Sequence, residues 1–442
     1  MKTTILLFGA TGDLAVRKLI PAIHDVAVID QHSYTIVGIA YDVVDAASMM
    51  ASARSHVRDL DAEAWALLCE RAQVIRGDFN DPAVYEQLAQ LQLDGNILVY
   101  CATRSDFFIP ITQMLVQYGV IKRQEEGALP WARIAYEKPF GLSSASAQAI
   151  NSVATSLLDE SQIFRVDHYL GKKATAALPA MRMLDETFNR LWVNADIAFL
   201  QVIVHESSGI GTRGGYYDSA GALADMVQNH LLQIVSLLVA HDPLFDYPHL
   251  TDEKKKSLAA LSIVDGVLGQ YVGYTREPHV AADSKTETFA ALRLSADIGQ
   301  WKNVPVFVKT GKGLKDKKMV IYLVLKSQDT SRVADMHLAV VAYSDNEVGL
   351  VIGRKEIEAA LSPEGCGPVD ESETLDAYGR MLEFITQGDR TLFVAYEEIA
   401  RSWEIVEAFK GQAPVVHAYE PGSVGPQALD EFNKKHGVEW LL

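Results

Sequence analysis

Six β-branched and apolar residues, Thr3 to Phe8, lead straight into Gly9-Ala10-Thr11-Gly12-Asp13-Leu14, and an apolar-periodic segment through Leu19, Ile20 and Ile23 follows. Strand, glycine turn, helix is a restrictive beginning. A run with no polar alternation belongs in a parallel sheet covered on both faces. The glycines let the backbone approach a pyrophosphate, and the helix start offers N–H groups and a positive dipole end. An α/β domain that binds a dinucleotide through Gly9 to Leu14 is the expectation.

The pattern continues through the first third of the chain. Tyr34 to Ala40 reads as a second strand ending at Tyr41-Asp42. An acidic side chain there can accept from adenosine ribose hydroxyls and repels a 2′-phosphate, so NAD is expected over NADP. Ala47 to Glu70 reads as helix, Gln73 to Gly77 as a third strand, Pro82 to Leu91 as helix, and Asn96 to Cys101 as a fourth strand opening onto Ala102-Thr103-Arg104. Arg133 to Glu137 is a further strand, followed by Lys138-Pro139-Phe140-Gly141, and the bond before Pro139 can adopt the cis form cheaply. After a helix from Ser144 to Leu158, the strand Gln162 to Val166 ends in Asp167-His168-Tyr169-Leu170-Gly171-Lys172. An open parallel sheet places its ligands at such carboxyl ends.

Beyond Lys172 the pattern changes. A helix (Ala174 to Asp185) and a strand run (Asn194 to Val204) precede His205-Glu206 and the glycine-rich loop that feeds a helix carrying Asp225, Asn229 and His230. Asp225 and Asn229, four apart, are expected on one helix face. Strand-like runs follow at Thr288 to Ser295, Val304 to Thr310, Met319 to Leu325, Met336 to Ser344 and Glu347 to Ile352, the last two joined at Asp345-Asn346. Short connections between successive strands indicate a mixed or antiparallel sheet. Amphipathic helices are expected at Thr374 to Gln387 and Ala395 to Phe409. The chain therefore divides into a Rossmann α/β domain, residues 1–166, and a larger α+β domain, residues 167–442.

Net charge is −17, from 40 basic and 57 acidic side chains, which disfavours nucleic acid and anionic membranes as partners. It leaves an anionic small molecule open, because a few clustered cations dominate locally. The three cysteines, Cys69, Cys101 and Cys366, are far apart and not in metal-ligand spacing, so a reducing, cytoplasmic setting without a metal is expected. No signal peptide and no membrane-spanning run is read from the sequence.

Chemistry concentrates in three places. Lys138, Lys172 and Lys312 are cations in glycine- or proline-marked turns, and His168 and Tyr169 add donors. His230 lies near Asp225 in sequence, and Asp167 is a second carboxylate that could orient it. An imidazole steered by a carboxylate is a general base poised near neutrality. With a nicotinamide accepting hydride, the natural reaction is alcohol oxidation, the lysines holding an anionic end of the substrate.

GATGDLAVRK, EKPFG, FRVDHYLGKK, GTRGGYYDSAGALADMVQNHLLQ, VPVFVKTGKGLKDKK, LDAYGRMLEFITQGD and AYEPGSVGP occur in that order over nearly the whole chain. Through them the sequence resembles the glucose-6-phosphate dehydrogenases. The resemblance implies oxidation of the C1 hydroxyl of β-D-glucopyranose 6-phosphate to the 6-phosphogluconolactone. It implies that His230 is the general base, with Asp167 as its carboxylate partner. His168, Tyr169 and Lys172 are implied phosphate ligands. Lys138 would touch both substrate and nicotinamide, with Pro139 as a hinge. Glu206 and Asp225 would accept from sugar hydroxyls, and Lys312, Lys317 and Lys18 would be further substrate cations. Cofactor contacts would come from Gly9, Ala10, Thr11, Gly12, Asp13, Leu14, Tyr41, Asp42, Ala102, Thr103 and Lys138. A homodimer or dimer of dimers is also implied.

The chain departs from that family in being shorter than usual and in four places. Tyr41-Asp42 replaces an arginine common after the second strand, which favours NAD while leaving NADP open. Arg104 stands where proline is frequent and could touch cofactor phosphate or substrate. His205 replaces a usual lysine and Ala224 a frequent arginine, which opens a different phosphorylated hexose as substrate. The rival readings are an inositol or glucose–fructose type of oxidoreductase, which shares the lysine-proline motif, and a non-catalytic cofactor-binding regulator.

Overall fold

The computed structural model describes residues 2–30, 33–42, 45–172, 175, 178, 197–241, 249–326, 336–342, 348–352 and 375–441. The chain forms two compact units. One is Met1–Gly171 with Glu373–Tyr396; the other is Lys172–Ser372 with Glu397–Leu442. A linear division at residue 166 thus differs from the observed one by a returning segment.

The first unit is built on a six-stranded parallel sheet: β1 (Lys2–Phe8), β2 (Ser33–Ala40), β3 (Gln73–Arg76), β4 (Asn96–Cys101), β5 (Ala132–Tyr136) and β6 (Ile163–Arg165). Their order is β3-β2-β1-β4-β5-β6, every neighbouring pair parallel. The order reverses beside β1, which makes the crevice past its end the expected dinucleotide position. The unbroken apolar character of β1 is explained by burial of Thr3 to Phe8 along their whole length. Three of the connecting helices start on a side chain that accepts an otherwise unused N–H. Asp45 accepts from Ser48, Asp61 from Glu63 and Ala64, and Asp81 from Ala83 behind Pro82. The single helix expected over Ala47 to Glu70 is two, Ala46–Arg54 and Ala62–Arg71, because Asp61 caps a fresh start.

The returning segment carries the helix Ala377–Gln387, capped by Asp376. It closes the first unit through side chains of that unit. The Arg133 guanidinium donates to the carbonyls of Ile385 and Thr386, and Arg390 joins Arg165 on Glu160.

In the second unit, β7 (Ile197–His205), β8 (Leu261–Tyr271), β9 (Phe289–Ala296), β10 (Val306–Gly311), β11 (Lys318–Leu325), β12 (Met336–Ala342), β13 (Val348–Ile352) and β14 (Val416–Tyr419) form one sheet, ordered β13-β12-β11-β7-β10-β9-β8-β14. It is mixed: β7 runs parallel to β10 and β14 to β8, while the other pairs are antiparallel. β8 and β14 are not expected from the sequence pattern. In β8, Asp265, Gly266, Gly269 and Gln270 interrupt the apolar alternation, and a register shift falls between Ile263 and Asp265. The helix read over Ala174 to Asp185 and the Asp345-Asn346 turn lie outside the described residues, as does Cys366.

A helical run, Gly211–Val239, is long and apolar enough to cross a membrane, contrary to the sequence reading, but 94% of its apolar window is buried. It is a core helix. Gly221 breaks it with a φ of 67°, and a Cβ there would lie 2.4 Å from Glu287 Oε1. Glu287 exploits that approach. Its Oε1 accepts from Leu223 N–H at 3.0 Å and its carbonyl from Ala222 N–H, restarting the helix just before Asp225.

Candidate active-site residues

In the first unit the glycine turn is folded back on the sheet. Gly9 has a φ of 83°, and a Cβ on it would meet the Ala102 carbonyl oxygen at 2.7 Å. Gly9 and Ala10 N–H both donate to Ile39 O, and Gly12 N–H to Gly9 O. The turn therefore lies at the ends of β2 and β4 together, against Ala102 and Thr103. Directly after it the helix begins, with first-turn N–H groups that lack intrahelical acceptors. A bare backbone cradle at a helix start fits the pyrophosphate of a dinucleotide. Thr11 Oγ1 donates to Asp42 Oδ2 at 3.3 Å, so the turn and the end of β2 are tied together. Arg104, which the sequence offers as a contact to cofactor phosphate or substrate, gives both its Nε and Nη2 to Asp106 at 3.1 and 2.8 Å. Asp13 is ion-paired with Arg17, and both are exposed.

The carboxyl ends of β5 and β6 bring charged groups together. The Lys138-Pro139 bond is cis. Before it stands Glu137, only 4% exposed, which accepts from Tyr100 Oη at 2.6 Å and from Lys138 N–H at 3.2 Å. Burial pushes its carboxyl from the ordinary 4.5 up to about 7, against the lowering effect of Tyr100 and Lys138, with the Asp167 charge adding to the rise. Asp167 is buried and accepts from Tyr169 N–H at 3.0 Å. His168 is half-buried and stacks on Tyr378 at 5.4 Å and 13°. Lys18 pairs with Asp376 at 3.6 Å, and Arg380 Nε donates to Gly171 O at 2.7 Å. Asp376, Tyr378 and Arg380 were not singled out from sequence. The signal was their presence in the LDAYGR stretch, which the helix Ala377–Gln387 folds into this unit.

Glu137 gives a prediction on stability. Its folded pKa lies above its unfolded one, so the folded protein holds the extra proton between about pH 4.5 and 7. The contribution is fully present below pH 4.5 and is lost as pH rises through 7. Glu137→Gln should flatten that part of the stability-versus-pH curve, by up to roughly 3 kcal/mol over the window. Denaturant melts of both proteins at pH 5 and pH 8 measure it, and parallel losses in the two would remove the assignment.

The second unit holds a further group of charged side chains. Lys312 is 2% exposed and sits between two carboxylates, bonded to Glu206 and 3.5 Å from Asp225. The backbone fixes this: Glu206 N–H donates to Gly311 O, Leu314 N–H to Glu206 O, Lys312 N–H to Thr288 O, and Tyr419 Oη to Lys312 O. Tyr216 Oη donates to Asp225 Oδ1 at 3.3 Å, and the Tyr217 ring lies under the ammonium at 5.6 Å. Leu223–Leu231 is wound as a π-helix, with Asn229 Nδ2 on Ala224 O at 2.7 Å. Hydrogen bonds there run from i to i+5, and Asp225, Asn229 and His230 follow one another within little more than one turn. His230 and Asp225 are buried, at 0% and 1%. Tertiary packing at a functional element overrides the ordinary helix period.

Lys172 is half-buried and its carbonyl accepts from Thr175 N–H. Lys317 is exposed. His205 is buried and shares a 2.9 Å hydrogen bond with Asp316. Burial pulls its pKa down to about 4, so a neutral ring stands at the end of β7.

A parallel sheet with a glycine cradle, and a mixed sheet bearing a buried imidazole, two carboxylates and a lysine, define a nicotinamide-nucleotide dehydrogenase class. Residues 6–176 match the model for the NAD binding domain of glucose-6-phosphate dehydrogenase, and residues 179–441 that for its C-terminal domain. The chain is 31% identical to glucose-6-phosphate 1-dehydrogenase of Bacillus subtilis, covering 99% of this chain and 98% of that one. It is also 31% identical to glucose-6-phosphate 1-dehydrogenase 1 of Mycobacterium tuberculosis, over 98% and 95%. The structure superposes with a TM-score of 0.81 on the Mycobacterium avium enzyme, at 29% identity, covering 100% and 99% of the two chains. With a glucose-6-phosphate dehydrogenase solved with its substrate, glucose-6-phosphate, the TM-score is 0.82 at 25% identity, covering 100% and 98%. A myo-inositol dehydrogenase from Corynebacterium glutamicum shares the fold alone, at 12% identity, a TM-score of 0.51 and coverage of 93% and 96%. The chain belongs to the glucose-6-phosphate dehydrogenase family.

Proposed function

We propose that the protein oxidises the C1 hydroxyl of glucose 6-phosphate to the 6-phosphogluconolactone, with NAD as the preferred hydride acceptor. The observation that carries this is the Glu206–Lys312–Asp225 group, with Asp225 on the same π-helical segment as the buried His230, in a chain matched along its length by the family. His230 takes the hydroxyl proton. Glu206 and Asp225 accept from sugar hydroxyls, and Lys312 holds their charge. His168, Tyr169 and Lys172 grip the phosphate, with Lys18 and Lys317 as further cations. Asp167 keeps the carboxylate role and Lys138 touches both substrate and cofactor. When bound, the nicotinamide supplies a hydride acceptor. Gly9 to Leu14, Ala102 and Thr103 form its phosphate cradle, and Tyr41 and Asp42 receive the adenosine end. Thr11 aligns Asp42 for ribose hydroxyls, and its charge disfavours a 2′-phosphate. We read the working form as a cytoplasmic homodimer or dimer of dimers.

Absorbance of reduced nicotinamide, followed with glucose 6-phosphate and its epimers against NAD and NADP, tests the reading. No turnover with any hexose phosphate would overturn it. Changing Tyr41→Arg together with Asp42→Ala should shift the preference for NADP over NAD by about 10²-fold, since a repulsion is replaced by a charge-assisted bond. An unshifted ratio places selection elsewhere.

A further inference from the structure

The ends of β2 and β3 emerge side by side. The strands are parallel with Ala40 opposite Arg76, and Gly77 N–H donates to Ala40 O at 3.0 Å. Tyr41-Asp42 from one strand and Gly77-Asp78 from the other therefore leave the sheet in register, about 4.8 Å apart. Tyr41 Oη donates to Asp78 Oδ1 at 3.1 Å. Tyr41 is 44% exposed, and its ring packs tilted by 58° against Phe79, 4.7 Å between centroids, which in turn packs edge-on against Phe107 at 5.2 Å. A part-exposed aromatic ring is thus held against Phe79 and by Asp78, next in sequence to the carboxylate that Thr11 aligns.

Asp78 has an ordinary structural reason to be present. Its Oδ1 also accepts from Asn80 N–H at 2.8 Å and Asn80 Nδ2 at 3.0 Å, which closes the turn after β3. Among the described residues no hydrogen bond falls on Oδ2. These bonds, the Asn80 N–H first, hold the carboxyl below its usual range, so it is ionised at neutral pH. A second negative charge therefore stands on the strand next to Asp42, where the turn alone would be served equally by a neutral amide.

We propose that Asp78 is a second selector of the cofactor: it tethers the Tyr41 ring as a stacking surface for adenine and sets a charge against any 2′-phosphate placed over the ends of β2 and β3. This rests on the reading of the protein as an NAD-preferring dehydrogenase. Base–aromatic stacking tolerates either cofactor, since both carry the same adenine. The charge discriminates, because only one carries a phosphate on that ribose.

Asp78→Asn separates the two roles. The amide oxygen still accepts from Asn80 and Tyr41, so turn and tether survive while the charge goes. The ratio of kcat/KM with NADP to kcat/KM with NAD should rise about tenfold, ~1.4 kcal/mol. The change should lie in the KM for NADP, and it should shrink in 0.5 M salt because the group is exposed. Tyr41→Phe cuts the tether only, and should raise KM for both cofactors about threefold with kcat kept. Should Asp78→Asn melt early, Asp78→Ser, which can also close the turn, carries the same expectation. A wild-type protein that prefers NAD while both Asp78 variants keep its ratio overturns this proposal and leaves the NAD reading standing. A wild-type protein that prefers NADP overturns the reading on which it rests.

Discussion

Replacing His230 by Asn should lower kcat by about 10²–10⁴ with only a modest change in KM. The imidazole is fully buried in the π-helical segment that also carries Asp225, and it is the one imidazole of that segment. Asparagine keeps the polar volume and removes the basic nitrogen. The loss is therefore in the step that moves the proton and not in holding the sugar. Steady-state kinetics with glucose 6-phosphate decides it. The pH profile adds a second readout, because the acidic limb of kcat belongs to the base and should disappear in the variant. Unchanged turnover would remove His230 from the chemistry.

The second large effect is on stability. Lys312→Met leaves Asp225, 1% exposed, and the partly buried Glu206 without their shared cation. Removing one partner of a buried ionic group costs about 3–5 kcal/mol, because a charge is left in a medium that solvates it poorly. In a unit of this size that lowers the melting temperature by roughly 10 °C. Adding Asp225→Asn to Lys312→Met should recover part of the loss, since the harm comes from the orphaned carboxylate and not from a cavity. Calorimetry on the pair of variants tests this, and a double variant less stable than Lys312→Met would contradict it. Sugar binding should be weak in both.

Much of the first unit was legible because its rules are local. Apolar strands, glycine turns and capping aspartates recur in step, and the parallel order follows from them. The strand ends at Asp42, Ala102, Lys138 and Asp167 could be placed for the same reason. What the sequence concealed depended on distant partners. β8 reads poorly because two glycines and an aspartate break its alternation, and it is stabilised by β9 and β14. The π winding at Leu223–Leu231 departs from the ordinary helix period, and its start depends on Glu287, more than sixty residues away. Lys312 was recognisable as a cation in a glycine turn, but its two carboxylate neighbours were not, because three separate strand and helix ends bring them together. Asp376 and Tyr378 sit far along the chain from Lys18 and His168, and only the fold joins them.

The returning segment has a consequence for biogenesis. The nucleotide-binding sheet is complete in sequence by Gly171, yet the bonds of Arg133 to Ile385 and Thr386, of Lys18 to Asp376 and the second cation on Glu160 form only when residues 376 to 390 exist. At ordinary elongation rates the ribosome needs roughly 10–45 s to reach them. During that interval the emerging amino-terminal half waits with a bare flank, and a truncated product ending near residue 372 would keep that flank permanently and become a client for chaperones or proteases.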